Sequence, residues 1–269
     1  MKNYQNLLRD VMRNGLIRTD RTGTGVRGVF GRLLEFDLTE GFPAVTTKKL
    51  YFKSVAAELA GFLEGTESAI RMRELGTNIW DANANAESWQ LHDYCQGPDD
   101  MGRIYGSLWR NFYGCDQLRS LVTTLISNPT DRRMVVTAWD PSERRQCLPP
   151  CHIFWQVYVR NDEFLDLLFY MRSVDLFLGL PFDIASYALL MHIIAQQVDL
   201  VPGNLVAQMG DAHIYTNHFD QVETILARNP LSLPELDLWD GATIDNFLPE
   251  HANLVGYNHL GEVKAPMAV

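Results

Sequence analysis

The segment from residue 181 to about residue 198 constrains the fold of this 269-residue chain more than any other feature. It is apolar on all sides of a helix, and Pro181 suits the first turn of such a helix. A helix without a polar face has to be covered by other elements. Its most apolar part, residues 184–194, is too short to cross a bilayer. The sequence therefore predicts a long helix in the core of a soluble protein.

Periodicity in the sequence predicts the elements around this helix. Helical spacing or a largely apolar run predicts further helices at residues 4–14, 50–63, 68–75 and 118–126. Strands are predicted at residues 26–38 and 134–139, and as a hairpin at residues 153–159 and 164–170. The polar stretch 83–100 is predicted to be a surface loop. We expect a single α+β domain over residues 1–269, with a mixed β-sheet packed against helices.

Charge and cysteine content limit the ligands and the compartment. The net charge is −10 and the isoelectric point about 5.1, so the surface as a whole repels nucleic acid. Any anionic ligand then needs a local arginine cluster. Four cysteines in a long chain argue against a disulfide framework, and the N-terminus has no apolar signal core. The expected location is the reducing cytoplasm, which would be the host cytoplasm for a viral protein.

Cys151 is the candidate nucleophile. It follows Pro149 and Pro150, and these prolines forbid a helix and place the thiol at the start of a strand. Reactive groups are often held at the end of an element. Nearby arginines would lower the pKa of the thiol and raise its thiolate fraction.

Other interpretations of Cys151 are open at this point. A cysteine is most often a small buried apolar residue. Together with Cys147 and His152 it could form half of a metal site, although the sequence lacks a second ligand pair at the usual spacing. It could also pair with a histidine in a hydrolase, for which four candidates exist: His152, His192, His213 and His218.

Five motifs, in order along the chain, together resemble those of thymidylate synthase. They are Asp20-Arg21-Thr22-Gly23-Thr24-Gly25, Pro149-Pro150-Cys151-His152, Arg172-Ser173-Val174-Asp175, Gly179-Leu180-Pro181-Phe182 and Gly210-Asp211-Ala212-His213-Ile214-Tyr215. Chance would not place five such motifs in this order, and the resemblance runs from residue 1 to residue 269. It implies a thymidylate synthase-like fold in which one face of the sheet forms a dimer interface.

The resemblance implies covalent catalysis. The thiolate of Cys151 would add to C6 of a pyrimidine deoxynucleotide, and C5 would then attack the methylene group of 5,10-methylenetetrahydrofolate. Glu58 would organise proton transfers through water, and Tyr105 would stand beside the site. A lone glutamate on an apolar helix is costly to bury, which independently indicates a function for Glu58.

The resemblance also implies the binding residues. The phosphate would be held by Arg21, Arg172 and Ser173, together with Arg132 and Arg133 from the second subunit of a homodimer. The rest of the nucleotide would be lined by His152, Asp175, His213 and Tyr215, of which His213 and Tyr215 hold the 3′-hydroxyl. The folate would be lined by Lys48, Tyr51, Ile79, Trp80, Asp175, Gly179, Phe182 and Val269. No metal, membrane or nucleic-acid partner is implied.

One departure from the family pattern changes the expected base. Thymidylate synthases have Asn after Pro-Phe, whereas this chain has Asp183. An amide matches the N3–H donor and O4 acceptor of uracil. A protonated carboxyl donates to N3 of cytosine and accepts from N4, and an ionised carboxylate pairs with cytosine protonated at N3 but opposes O4 of uracil. Asp183 therefore resembles the deoxycytidylate hydroxymethylases and methylases of the same superfamily, and predicts dCMP as the substrate.

Other departures bear on the product, because water at C5 gives a hydroxymethyl group and hydride gives a methyl group. Gly61 and Asn83 stand where the family has tryptophans, and Met171 replaces a glutamine. The loss of two large indoles near the folate predicts a looser, wetter pocket and favours hydroxymethylation. Trp80 and Val269 argue for a dry site. The expected product is 5-hydroxymethyl-dCMP, of the kind often made by bacteriophages. The alternatives are a methylase giving 5-methyl-dCMP and dihydrofolate, a thymidylate synthase acting on dUMP, and a non-catalytic nucleotide-binding relative.

Overall fold

The computed structural model describes residues 1–267, which form eight strands and nine α-helices. The strands are β1 (Leu16–Arg18), β2 (Val26–Asp37), β3 (Val135–Thr137), β4 (His152–Arg160), β5 (Phe164–Asp175), β6 (Val201–Tyr215), β7 (Glu235–Leu238) and β8 (Ala252–Val255). The helices are α1 (Lys2–Asn14), α2 (Phe52–Glu64), α3 (Ala69–Leu75), α4 (Asp81–Ala84), α5 (Glu87–Gln90), α6 (Tyr105–Arg110), α7 (Gln117–Ser127), α8 (Gly179–Gln197) and α9 (Phe219–Leu226).

Six of the strands form one sheet in the order β1-β2-β6-β5-β4-β3, and β7 pairs with β8. Within the six-stranded sheet β5 and β6 are parallel, and the other neighbouring pairs are antiparallel. Parallel neighbours need a crossover connection, and α8 supplies it between β5 and β6. This mixed sheet packed with helices confirms the predicted α+β class.

Helix α8 lies in the core, as its sequence predicts. Leu189, Leu190 and Ile193 are fully buried, and the helix packs on α2, β5 and β6. It begins at Gly179, so Pro181 is still in the first turn, where backbone N–H groups have no partner within the helix. None of the helices in the described residues is long and apolar enough to cross a membrane.

Three predicted segments differ from the structure where they meet solvent. Strand β3 covers only three of the residues in 134–139, and Val135 and Trp139 are 43% and 41% exposed. Ile126, an apolar residue of the helix predicted at 118–126, is 67% exposed. The predicted loop at 83–100 contains α5 and buries Trp89, whose Nε1 donates to the carbonyl of Asp100 at 2.7 Å. Single apolar residues do not reveal which neighbour will cover them.

The face of the sheet that points away from α8 carries aromatic side chains. Phe154 of β4 stacks on Tyr170 of β5, with ring centroids 5.6 Å apart. Along the same strands Trp155 and Phe169 point into the core, because successive side chains alternate between faces. Tyr158, two residues beyond Gln156 on the outward face, is 63% exposed.

Candidate active site

Cys151 lies at the entrance to β4, next to the first residue of α6. Its backbone N–H donates to the hydroxyl of Tyr105 at 2.8 Å, and its carbonyl accepts from the N–H of Arg172 at 2.8 Å. The Tyr105 hydroxyl also lies close enough to the thiol to lower its pKa. The nucleophile candidate is therefore fixed from two sides, by a helix start and by the neighbouring strand β5.

Arg172 holds the proline segment that leads to the thiol. Its Nε donates to the carbonyl of Pro150 at 2.8 Å and its Nη2 donates to the carbonyl of Pro149 at 3.0 Å. Its guanidinium also lies 5.7 Å from the centre of the Trp139 ring. These two carbonyls lie outside the strands and helices, so they can accept hydrogen bonds from a side chain. Arg172 thus shapes this loop in addition to presenting positive charge.

The pKa of the Cys151 thiol is raised, contrary to the expectation from nearby arginines. Burial is the largest cause, and the negative charge of Asp183 acts in the same direction. The charge of Arg172 and the hydrogen bond from Tyr105 lower the pKa but do not outweigh burial. The expectation was wrong because only one arginine of this chain acts on the thiol.

His152 does not pair with the thiol. Its Nδ1 lies 2.8 Å from the hydroxyl of Tyr187, and its Nε2 lies 4.0 Å from Oδ1 of Asp183. Its ring stacks on Tyr105 with centroids 3.9 Å apart and planes 15° apart. Burial lowers the pKa of His152 to about 3, so the ring is neutral at ordinary pH. This geometry does not support His152 as the general base of a Cys–His hydrolase.

The carboxyl of Asp183 acts on the thiol, and two further carboxyl groups, Glu58 and Asp175, act on Asp183. Glu58 of α2 accepts from Nε1 of Trp80 at 2.9 Å, and burial raises its pKa to about 7 despite that hydrogen bond. Asp183 of α8 has 25% of its side chain exposed. Burial, then the charges of Glu58 and Asp175, raise the pKa of Asp183 well above its usual value. Its neutral form is therefore favoured.

A second group of predicted residues lies where β5 and β6 run side by side. The parallel register places Ser173 beside Asp211 and Asp175 beside His213. Nδ1 of His213 lies 3.3 Å from Oδ1 of Asp211, which Arg18 binds at 2.9 Å. Tyr215 follows His213 on the same strand, with ring centroids 5.3 Å apart. Burial raises the pKa of Tyr215, and the positive charge of Arg21 opposes this shift, so the Asp20 to Gly25 loop also reaches the site.

The residues predicted to line the folate surround the start of α8. Nζ of Lys48 donates to the carbonyl of Phe177 at 2.5 Å, and burial lowers its pKa to about 8. Oδ1 of Asp175 accepts from the backbone N–H groups of Phe177 and Leu178, whereas Oδ2 has no hydrogen bond within residues 1–267. Ile79 and Phe182 are partly buried against the core. At Gly179 an added Cβ would have only ordinary contacts, the closest 3.8 Å away.

Three predicted residues do not join this cluster within residues 1–267, and a fourth lies outside the described residues. Arg132 and Arg133 are exposed in the segment before β3, and Arg133 pairs with Asp131 at 2.6 Å. Tyr51 is 42% exposed and donates its hydroxyl proton to Glu262 near the C-terminus. Val269 lies outside the described residues. Among the described residues no three His, Cys, Asp or Glu side chains are grouped to hold a metal ion.

The space beside Gly61 is filled, although the absence of the family's tryptophan there predicted an opening. A Cβ at Gly61 would lie 2.5 Å from Sδ and 2.7 Å from Cε of Met72, which is fully buried. Met72 of α3 therefore occupies the volume next to Gly61, and the prediction of a looser site there was wrong. Asn83 on α4 is partly exposed.

Comparison with known proteins identifies the family. A family model described as thymidylate synthase matches residues 2–269. The chain belongs to this family. A thymidylate synthase from Enterobacteria phage T4 is 47% identical over 244 residues, which cover 88% of this chain and 84% of the phage protein. Enzymes of the thymidylate synthase family transfer a folate-carried one-carbon unit to C5 of a pyrimidine nucleotide, and the resemblance read from the five motifs is confirmed at this level.

Sequence analysis missed three residues that contact the site. Tyr187 lies four residues after Asp183 on α8, and Asp211 lies two residues before His213 on β6. Helical and strand spacing place each pair on one face, so these signals were present in the sequence. Met72 carried no such signal, because its contact with Gly61 joins two helices whose packing the sequence does not specify.

Proposed function

We propose that this enzyme transfers a one-carbon unit from 5,10-methylenetetrahydrofolate to C5 of dCMP and forms 5-hydroxymethyl-dCMP. The observation that carries the choice of base is the carboxyl of Asp183, partly buried beside Cys151 where the family has an amide. The overall reaction takes up one water and releases tetrahydrofolate, so its atoms balance.

Cys151 is the proposed nucleophile. Attack of its Sγ on C6 moves the electron pair of the C5–C6 double bond to C5, which then forms the new carbon–carbon bond. Because burial keeps the free thiol protonated, its proton has to leave as the nucleotide binds. Glu58, with a pKa of about 7, can hold or release a proton near neutral pH and is the proposed relay for this proton and for the C5 proton. Sγ departs when the C5–C6 double bond forms again.

Asp183 is compatible with cytosine in either protonation state. The neutral acid favoured by the structure donates to N3 and accepts from N4, and the ionised form pairs with cytosine protonated at N3. Uracil fits only the neutral form. The ionised form opposes O4 of uracil, and such a mispaired buried contact costs about 1–3 kcal/mol. Discrimination between the two nucleotides therefore requires the proton to pass from Asp183 to N3 of cytosine when the nucleotide binds.

The described residues fit a folate beside the nucleotide. The folate supplies the one-carbon unit when it is bound. Oδ2 of Asp175 is free to accept a hydrogen bond from a heterocyclic N–H, while Trp80, Ile79 and Phe182 offer apolar surface to a flat ring. Gly179 leaves the start of α8 open for close approach. The hydroxymethyl product depends on Asn83, since the space at Gly61 is already filled by Met72.

The direct test is to incubate the protein with dCMP and dUMP separately, each with 5,10-methylenetetrahydrofolate, and to weigh the products. We expect hydroxymethyl-dCMP from dCMP and none from a Cys151→Ser control. Turnover of dUMP alone would refute the choice of base. A methylated product together with dihydrofolate would identify a methylase. If 5-fluoro-dCMP and the folate form no covalent adduct with Cys151, the protein is a non-catalytic relative.

A homodimer through the outward face of the sheet would complete the phosphate site. The stacked Phe154 and Tyr170 provide an aromatic surface of the kind that partners cover, and Arg132 and Arg133 are exposed in the same chain. We propose that both arginines reach the second subunit. A mixture of Cys151→Ala and Arg132→Ala proteins tests this, because a shared site would regain activity in the heterodimer. Two inactive proteins that stay inactive after exchange of subunits would refute it.

A further inference from the structure

The hydrogen bond between Tyr187 and His152 has no part in the chemistry described above. Tyr187 is 2% exposed, and its ring stacks on Phe169 with centroids 4.1 Å apart and planes 12° apart. Its hydroxyl lies 2.8 Å from Nδ1 of His152, and within residues 1–267 the hydroxyl has no other hydrogen bond. A buried phenol used in this way fixes its partner, since both groups would lose a hydrogen bond if they separated.

The ring fixed by Tyr187 is the surface on which Tyr105 lies. His152 and Tyr105 are stacked 3.9 Å apart, which leaves little room for either ring to turn independently. The position of the Tyr105 ring sets the position of its hydroxyl. That hydroxyl accepts the backbone N–H of Cys151 at 2.8 Å and lies close enough to the thiol to lower its pKa.

We propose that Tyr187 is a positioning residue for the nucleophile, acting through the His152 ring and the Tyr105 hydroxyl on Cys151. The inference rests on the proposed function in that Cys151 is taken as the nucleophile. Four consecutive contacts then connect the core strand β5 to the thiol: Phe169 to Tyr187, Tyr187 to His152, His152 to Tyr105, and Tyr105 to Cys151.

The environment of the thiol gives a physical reason for this series of contacts. Burial raises the pKa of Cys151, and the hydrogen bond from Tyr105 is one of two influences within the chain that lower it. If the Tyr105 hydroxyl moves away, the thiolate loses a donor and the thiol becomes harder to ionise. Backbone structure alone cannot hold this hydroxyl, because the ring is free to rotate about its side-chain bonds unless neighbours prevent it.

Tyr187→Phe removes the hydroxyl and keeps the ring that stacks on Phe169. We expect the rate of covalent adduct formation on Cys151, measured with 5-fluoro-dCMP and folate, to fall by about tenfold, the usual effect of one lost buried hydrogen bond. The KM for the nucleotide should change by less than about twofold, because no ligand contact is removed. Tyr4→Phe is the matched control, since the Tyr4 hydroxyl is also fully buried and donates to the carbonyl of Leu176 at 2.8 Å.

Alkylation of Cys151 by iodoacetamide, followed by peptide mass spectrometry over a range of pH, gives a second readout without turnover. The apparent pKa of Cys151 should rise in Tyr187→Phe and stay unchanged in Tyr4→Phe, while the exposed Cys115 serves as an internal reference. A merely structural role for Tyr187 would lower the melting temperature and leave this pH profile in place, which would overturn the proposal.

The two proposals can fail separately. If the wild-type protein forms no adduct with the fluorinated nucleotide but the alkylation profile shifts as expected, the proposed function fails and the positioning role stands. If the wild-type protein forms the adduct at the same rate as a folded Tyr187→Phe variant, the positioning role fails and the proposed function stands.

Discussion

Replacing Asp183 with asparagine is the sharpest perturbation of base choice that the site allows. The two side chains have nearly the same shape, and the Asp183 carboxyl makes no hydrogen bond with residues 1–267. Nε2 of the neutral His152 ring lies 4.0 Å from its Oδ1. The substitution therefore changes donors and acceptors without removing a packing contact. It also removes a group whose ionised form is disfavoured by burial.

The magnitude follows from the contacts that change. Asparagine cannot ionise, so it loses the pairing with cytosine protonated at N3, and its amide matches the N3–H and O4 of uracil. Each mispaired buried contact costs about 1–3 kcal/mol, which corresponds to roughly 5- to 150-fold in relative rate. We expect the ratio of kcat/KM for dCMP over that for dUMP to fall by about tenfold or more.

The assay compares initial rates for the two nucleotides at a saturating folate concentration, with product masses measured at each time point. Asp237→Asn is the matched control, because Asp237 is exposed on β7 and the same acid-to-amide exchange is made far from Cys151 in the sequence. The control should leave the ratio unchanged. An Asp183→Asn protein that melts normally and keeps the wild-type ratio would refute the role of this carboxyl in reading the base.

Three further predictions concern the proton relay, the product and the arginine clamp. Since burial raises the pKa of Glu58 from 4.5 to about 7, the stability provided by its protonated form is lost as pH rises across that interval. The melting temperature of wild type should therefore fall relative to that of Glu58→Gln between these pH values. The inflection near pH 7 in the pH–rate profile should disappear in the variant. Asn83→Trp should raise the share of methyl product over hydroxymethyl product, measured by mass; an unchanged share would refute water access at this position. Arg172→Lys keeps the charge but loses the fork that binds two carbonyls, so the KM for the nucleotide should rise while the pKa of Cys151 measured by alkylation stays near wild type. Arg172→Gln also loses the charge, so both the KM and this pKa should rise.

Sequence patterns were sufficient where one element buries its side chains in a simple way. The run that became α8 had no polar face, and the hairpin of β4 and β5 alternates between core and outward residues. Strand β6 was not predicted although it is central. Its first residues include Pro202, Gly203 and Asn204, which are typical of turns, and its neighbour β5 is brought alongside only by the α8 crossover.

The site was predictable to the extent that motifs carry it, and its electrostatics were not. The motif around Cys151 located the thiol, yet the direction of its pKa shift depends on how deeply the folded chain buries it. The sequence also gave no sign that Met72 fills the space at Gly61, because that contact joins α2 and α3 through packing rather than through spacing. Tertiary neighbours decide both properties.

The exchange of an amide for an acid at position 183 is tolerable because the surroundings keep the acid neutral. Burial and the charges of Glu58 and Asp175 all oppose its ionisation, so the site carries the same net charge with either residue. The pKa of Glu58 is set by its own burial against the hydrogen bond from Trp80. The proposed proton relay can therefore keep its properties when the base-reading group changes. One substitution can then change the base-reading group and still leave the chemistry of one-carbon transfer to Cys151 and Glu58.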